Sequence, residues 1–145
     1  MTGSKRVAPI LAVLLLSGCA SPAWDDHDYG LKAAQSAQSA ASSLEIVRLA
    51  VRHEDRLTTP YLKTLFTETV KDLGSVNSQF GGVQPPSPAA DEVRGRLLDL
   101  TGEAEDQVAS LLIQVRRDGI KDPAAAAKDL EEVAVKLRAF EEAHR

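Results

Sequence analysis

Thr59-Pro60, Ser87-Pro88 and Asp122-Pro123 share one arrangement: a side chain that can accept a hydrogen bond stands directly before a proline. That pairing starts helices. The side-chain oxygen can hold an unpaired backbone N–H of the first turn, and proline at the first helical position gives up an N–H that had no partner. Helix ends are marked too. Gly81-Gly82 follows Phe80, and Gly119 follows Arg116-Arg117-Asp118. Both suit a left-handed glycine cap, and the arginines fall at the negative end of the helix dipole. These marks divide the chain into helices near residues 29–56, 60–80, 88–118 and 123–144, with Val83-Gln84-Pro85-Pro86 as the clear loop.

Apolar spacing agrees with the punctuation. Leu62, Leu65, Phe66, Thr69, Leu73, Val76 and Phe80 fall on one face of the second segment. In the third, Val93, Leu97, Leu100, Ala104, Val108, Leu111 and Val115 recur at helical spacing. In the fourth, Ala126, Leu130, Val133, Leu137 and Phe140 alternate steps of four and three, the pattern of helices packed at shallow angles. No stretch alternates with period two over a useful length, which argues against a sheet. The pattern therefore predicts an all-α fold, an up-down antiparallel four-helix bundle with short connections.

Two segments depart from the common pattern. Residues 33–43 are built from Ala, Ser and Gln, so the first helix carries little bulk. The stripe Leu31, Ala34, Ala41, Leu44, Val47 and Val51 favours a helix over a frayed stalk, with a weak first half because alanine buries little. The third helix has a second stripe, Gly95, Leu98, Gly102, Ala109 and Leu112. Interior glycines cost roughly 1 kcal/mol each against alanine. Either they let a neighbouring helix cross closely, or the stripe is a face for another protein or for self-association.

The N-terminus reads differently. Lys5 and Arg6 precede the uncharged run Val7–Leu16, and small residues follow. Ten apolar positions are too few to span a bilayer, which takes roughly 20, but they fit an export signal. Leu16-Ser17-Gly18-Cys19 contains the single cysteine of the chain. These four residues resemble the bacterial lipobox, Leu-(Ala/Ser)-(Gly/Ala)-Cys, in every place. The resemblance covers about twenty residues. It implies that Cys19 is lipidated with a diacylglyceryl group and that a dedicated peptidase removes residues 1–18. Residues 19–28 then form the lipidated cysteine and a short tether that reaches at most about 30 Å, and residues 29–145 form the bundle.

Charge and chemistry narrow the function classes. The chain carries 17 Lys and Arg against 21 Asp and Glu, a net of −4; losing Lys5 and Arg6 takes this to −6. No basic patch is dense enough to follow phosphates, so nucleic acid is not an expected partner. Anionic lipid would not attract the bundle either, leaving the acyl chains to anchor it. The histidines are His27, His53 and His144. Glu141-x-x-His144 matches one element of a di-iron bundle, which needs two such elements and two further glutamates; a solvated chain end is the simpler account. His53-Glu54-Asp55 reads as a solvated helix end, and Glu103, Glu105, Asp106, Glu131 and Glu132 as charged outer faces, with Glu132 and Lys136 forming an i,i+4 pair. No residue set recommends catalysis, a metal or a cofactor. The expected function is a membrane-anchored extracytoplasmic lipoprotein of the bacterial envelope, presenting a helical bundle as a non-enzymatic interaction or scaffold module. Its partner is another envelope protein or a second copy. A small-molecule binding or sensing bundle is the alternative.

Overall fold

Each helix begins where a side-chain oxygen takes a backbone N–H. The computed structural model describes residues 25–145. They form α1 (Asp26–Arg52), α2 (Thr59–Gly81), α3 (Pro88–Arg117) and α4 (Pro123–Ala143), with a short 3-10 turn at Glu54–Arg56. No strand occurs among the described residues. The signal, Cys19 and residues 20–24 lie outside them.

Ser87 accepts from the Ala90 N–H at 3.1 Å and Asp122 from Ala125 at 2.9 Å, each with proline following as the first helical residue. At α2 the cap is Thr58 rather than Thr59: its Oγ1 accepts from the Tyr61 N–H at 3.4 Å. Thr59 is the first helical residue and Pro60 the second. The N–H that proline lacks is unpaired at either position, so the two adjacent threonines allow both registers. At α1, Asp25 caps the Asp28 N–H at 2.8 Å, so residues 26–28 are the first turn of the helix and not tether.

The helix ends differ from one another. Gly119 has φ +94°, and its N–H and that of Asp118 both bond the Gln114 carbonyl at 3.0 Å, a left-handed glycine cap. Gly82 does not repeat this. Its φ of −79° is right-handed, and the Val83 N–H turns back to the Phe80 carbonyl at 3.2 Å. The first helix stops at Arg52, short of residue 56, because the chain must reach the extended backbone of the Thr58 cap.

The helices run antiparallel in chain order. Arg138 meets Glu45 at 3.4 Å and Arg48 meets Glu131 at 3.6 Å, fixing α4 against α1 in opposite sense. Arg116 late in α3 reaches Thr67 early in α2 at 3.5 Å. The α1–α4 and α2–α3 pairs pack most extensively, α1 and α3 also meet, and α2 and α4 make no comparable contact. Such is the all-α four-helix bundle.

The stripes expected to face inward do so. Phe66, Leu73, Leu97, Val108, Leu130, Val133 and Leu137 are fully buried. The alanine-rich half of α1 is continuous helix, and Ala33, Ala34, Ala37, Ala40 and Ala41 are buried. The end of α4 lies beside the start of α1: a Cβ on Gly30 would stand at ordinary contact distance, 3.7 Å, from the His144 carbonyl. Tyr29 stands one turn before the first of these alanines. It is fully buried, its ring 5.0 Å from that of Phe80 at 56°, and burial raises its phenol pKa. No described helix is long and apolar enough to cross a membrane.

Candidate functional site

The second stripe of α3 divides into two environments. Leu112 is buried, and Leu98 packs over the position a Gly81 side chain would take, 3.6 Å from its Cβ. Gly95 is exposed, and Gly102 and Ala109 are half-buried. A Cβ added at Gly95 or Gly102 would meet nothing within 4 Å. Neither glycine therefore permits a close helix crossing within this chain. The close approach lies one helix away: a Cβ on Gly74 of α2 would come 3.2 Å from Glu105 Oε1.

Glu105 is thus not part of a solvated outer face. It accepts a hydrogen bond from Asn77 Nδ2 at 2.9 Å, and Asn77 Oδ1 is in turn within reach of the Thr101 hydroxyl. Thr101 is fully buried and its Oγ1 also lies 2.9 Å from the Leu97 carbonyl, so its single proton serves one acceptor at a time. This Thr101–Asn77–Glu105 chain ties α3 to α2. Its signal in the sequence is polar residues at seam spacing, Asn77 in α2 and Thr101 four before Glu105 in α3.

The other acids also reach across helices. Lys136 pairs with Glu103 at 3.0 Å instead of Glu132, which meets Lys128 at 3.8 Å. A cation at this position on α4 faces α3, where Glu103 offers a nearer carboxylate. Arg48 grips Glu45 through both Nε and an Nη, and Arg138 approaches the same carboxylate. The Arg48 hydrogen bond holds the Glu45 carboxyl below its ordinary 4.5.

The C-terminal Glu141 and His144 are not a solvated end. Glu141 is 8 % exposed and pairs with Arg145. The His144 ring stacks on Phe140, centroids 4.2 Å apart, with Nδ1 2.7 Å from the Phe140 carbonyl. His53 and Asp55 are exposed and His27 lies in the first turn of α1. No three His, Cys, Asp or Glu side chains gather closely enough to hold a metal among the described residues.

Of the several open clefts on the bundle, the one beside Gln107 has a buried polar atom at its wall. It lies between the end of α3 and the start of α4, holds about 280 Å³ and opens to solvent. Pro123 and the four alanines after it give α4 too little side chain to fill the gap. Leu111 and Leu130 form an apolar floor, while Gln107, Ser110, Gln114, Lys121 and Asp129 stand around it. Gln114 closes one side by accepting the Lys121 N–H at 3.0 Å. Gln107 Oε1 is buried with no hydrogen-bond partner. The sequence reading did not single out this cleft, since glutamines on a helix face carry no motif.

Compared with protein-family models, curated proteins and solved structures, the chain matches none.

Proposed function

We propose that the protein is an extracytoplasmic lipoprotein of the bacterial envelope, held on its membrane by acyl chains on Cys19 and presenting the bundle as a non-enzymatic interaction or scaffold module. One observation carries the reading: Leu16-Ser17-Gly18-Cys19 stands directly behind Lys5-Arg6 and an uncharged apolar run. Spacing, residue types and order all suit lipid attachment to that sulfur. A single acyl chain binds membranes only marginally, so stable anchoring needs the two or more chains that a diacylglyceryl group brings.

The face proposed for a partner is the part of the α3 stripe that the bundle leaves uncovered, Gly95, Gly102 and Ala109, since Leu98 and Leu112 pack within the chain. Its support is that Gly95 and Gly102 leave open space above the helix, where another helix could approach the backbone. Small-molecule binding is the second reading. The unpaired Gln107 Oε1 beside the α3–α4 cleft favours it, because a buried acceptor without a donor is costly.

Feeding cells a clickable fatty acid tests the anchor. The wild type takes up label and partitions with membranes, while Cys19→Ser takes up none. An unlabelled wild type, or equal labelling of Cys19→Ser, overturns the proposal.

A further inference from the structure

We infer that the bundle stands on the membrane by one end: the start of α1, the 82–87 loop and the end of α4 face the bilayer, and the end formed by residues 53–58 and 118–122 points away from it. This rests on the reading that Cys19 carries the lipid. From Cys19 to the Asp25 cap is six residue steps, at most about 20 Å of fully extended chain. The 27 residues of α1 span about 40 Å at 1.5 Å each. The tether is therefore shorter than the bundle, and it enters at one end.

The flanks give the bilayer little to hold. Four of the six cations along α1 and α4 are engaged within the bundle: Arg48 with Glu45 and Glu131, Lys128 with Glu132, Lys136 with Glu103 and Arg138 with Glu45. The near end carries Asp25, Asp26, Asp28, Asp91, Glu92 and Glu142 beside Lys32, Arg94 and Arg145, so the lipid on Cys19, and not charge, holds that end to the membrane. Most of the exposed large apolar side chains are elsewhere. Four of the five, Ile46 and Leu49 in the last turns of α1, Tyr61 in the first turn of α2 and Ile113 near the end of α3, lie in the far half, and Val135 stands just past the middle of α4. They are spread over all four helices. Standing on end leaves these side chains clear of the headgroups, where another protein can reach them.

The test uses the full chain, isolated as the lipoprotein and reconstituted into phosphatidylcholine–phosphatidylglycerol vesicles bearing a headgroup acceptor dye. Gln84→Cys and Asp55→Cys, both at exposed positions, place a donor dye at the near and far ends; an acylated Cys19 offers no competing thiol. Glu142→Cys and Arg117→Cys repeat the comparison on other helices, and circular dichroism checks each fold. Energy transfer from the near-end dyes exceeds that from the far-end dyes several-fold. Fatty-acid labelling of the same preparations reports the anchor separately. Label on Cys19 with equal or reversed transfer overturns the orientation alone; no label on Cys19 overturns the anchor and the orientation together.

Discussion

Asn77 of α2 donates its side-chain amide to Glu105 of α3 at 2.9 Å, directly above Gly74, where a methyl group would crowd the same carboxylate. An amide suits this place because it can donate to Glu105 and accept from Thr101 together. Asn77→Asp removes the donor and sets two carboxylates side by side. Like charges raise carboxyl pKa values in the folded state. A raised folded value gives stability that is present in acid and lost as pH rises. Asn77→Asp is therefore less stable near neutrality than Asn77→Ala, and the gap narrows in mild acid. Urea midpoints of both variants at the two pH values measure this; a gap independent of pH means that Glu105 and residue 77 do not interact.

Three glycines of the α3 region separate by geometry. Gly95 and Gly102 are helical with open space at the Cβ position, so Gly95→Ala and Gly102→Ala each stabilise by about 0.5–1 kcal/mol through helix propensity. Gly119 has φ +94°, and Gly119→Ala destabilises by at least about 1 kcal/mol. Thermal melts rank the three. A loss of stability at Gly95 or Gly102 shows that a neighbour packs there. Loss of partner capture with stability raised assigns the glycines to an intermolecular face.

The helical phase was legible because seam spacing and caps are local. Leu137 is fully buried and Glu132 exposed, as the four-three steps of α4 required. Leu137→Ala costs about 2–5 kcal/mol as a large-to-small core change, and Glu132→Ala under about 0.5 kcal/mol as an exposed charge; equal losses in denaturant melts contradict the packing. What the sequence left hidden depends on neighbours. The partner of Lys136 depends on which helix lies beside α4, and Glu105 reads as surface until α2 is placed. Gly82 and Gly119 look alike as glycines after a helix, yet only the turn made from Gln114 requires a left-handed residue. Tyr29 is buried with its ring against Phe80 of α2, a fact of packing and not of period. The partner stripe and the α3–α4 cleft differ in the same way: spacing marked the stripe, while the cleft exists only where two helices diverge over short side chains.

Acid sensitivity has a named contributor. Arg48 holds the folded-state carboxyl of Glu45 below its ordinary 4.5. A depressed carboxyl contributes stability above the unfolded-state value and loses it as pH falls through the folded-state value. Glu45→Gln has no such group to protonate. Wild type therefore loses more stability than Glu45→Gln on going from neutral pH to below 4.5, read from urea midpoints with the slope unchanged. Parallel losses would falsify the assignment.

Gln107 decides what the α3–α4 cleft is. Its Oε1 is buried and unpaired, and an unsatisfied buried carbonyl costs about 1–3 kcal/mol. Leucine is one side-chain atom smaller and has nothing to satisfy. In a cleft with no ligand role, Gln107→Leu leaves stability unchanged or raises it by up to about 1 kcal/mol, and the bundle keeps every activity of the wild type in partner capture. In a ligand site the amide has a purpose outside the chain. Small molecules that raise the melting temperature of the wild type then fail to raise that of Gln107→Leu, while still acting on the exposed-face variant Glu132→Ala. Thermal-shift screening of the three proteins side by side separates the two. A drop in stability of Gln107→Leu without any ligand shows instead that the amide already has a partner within the fold.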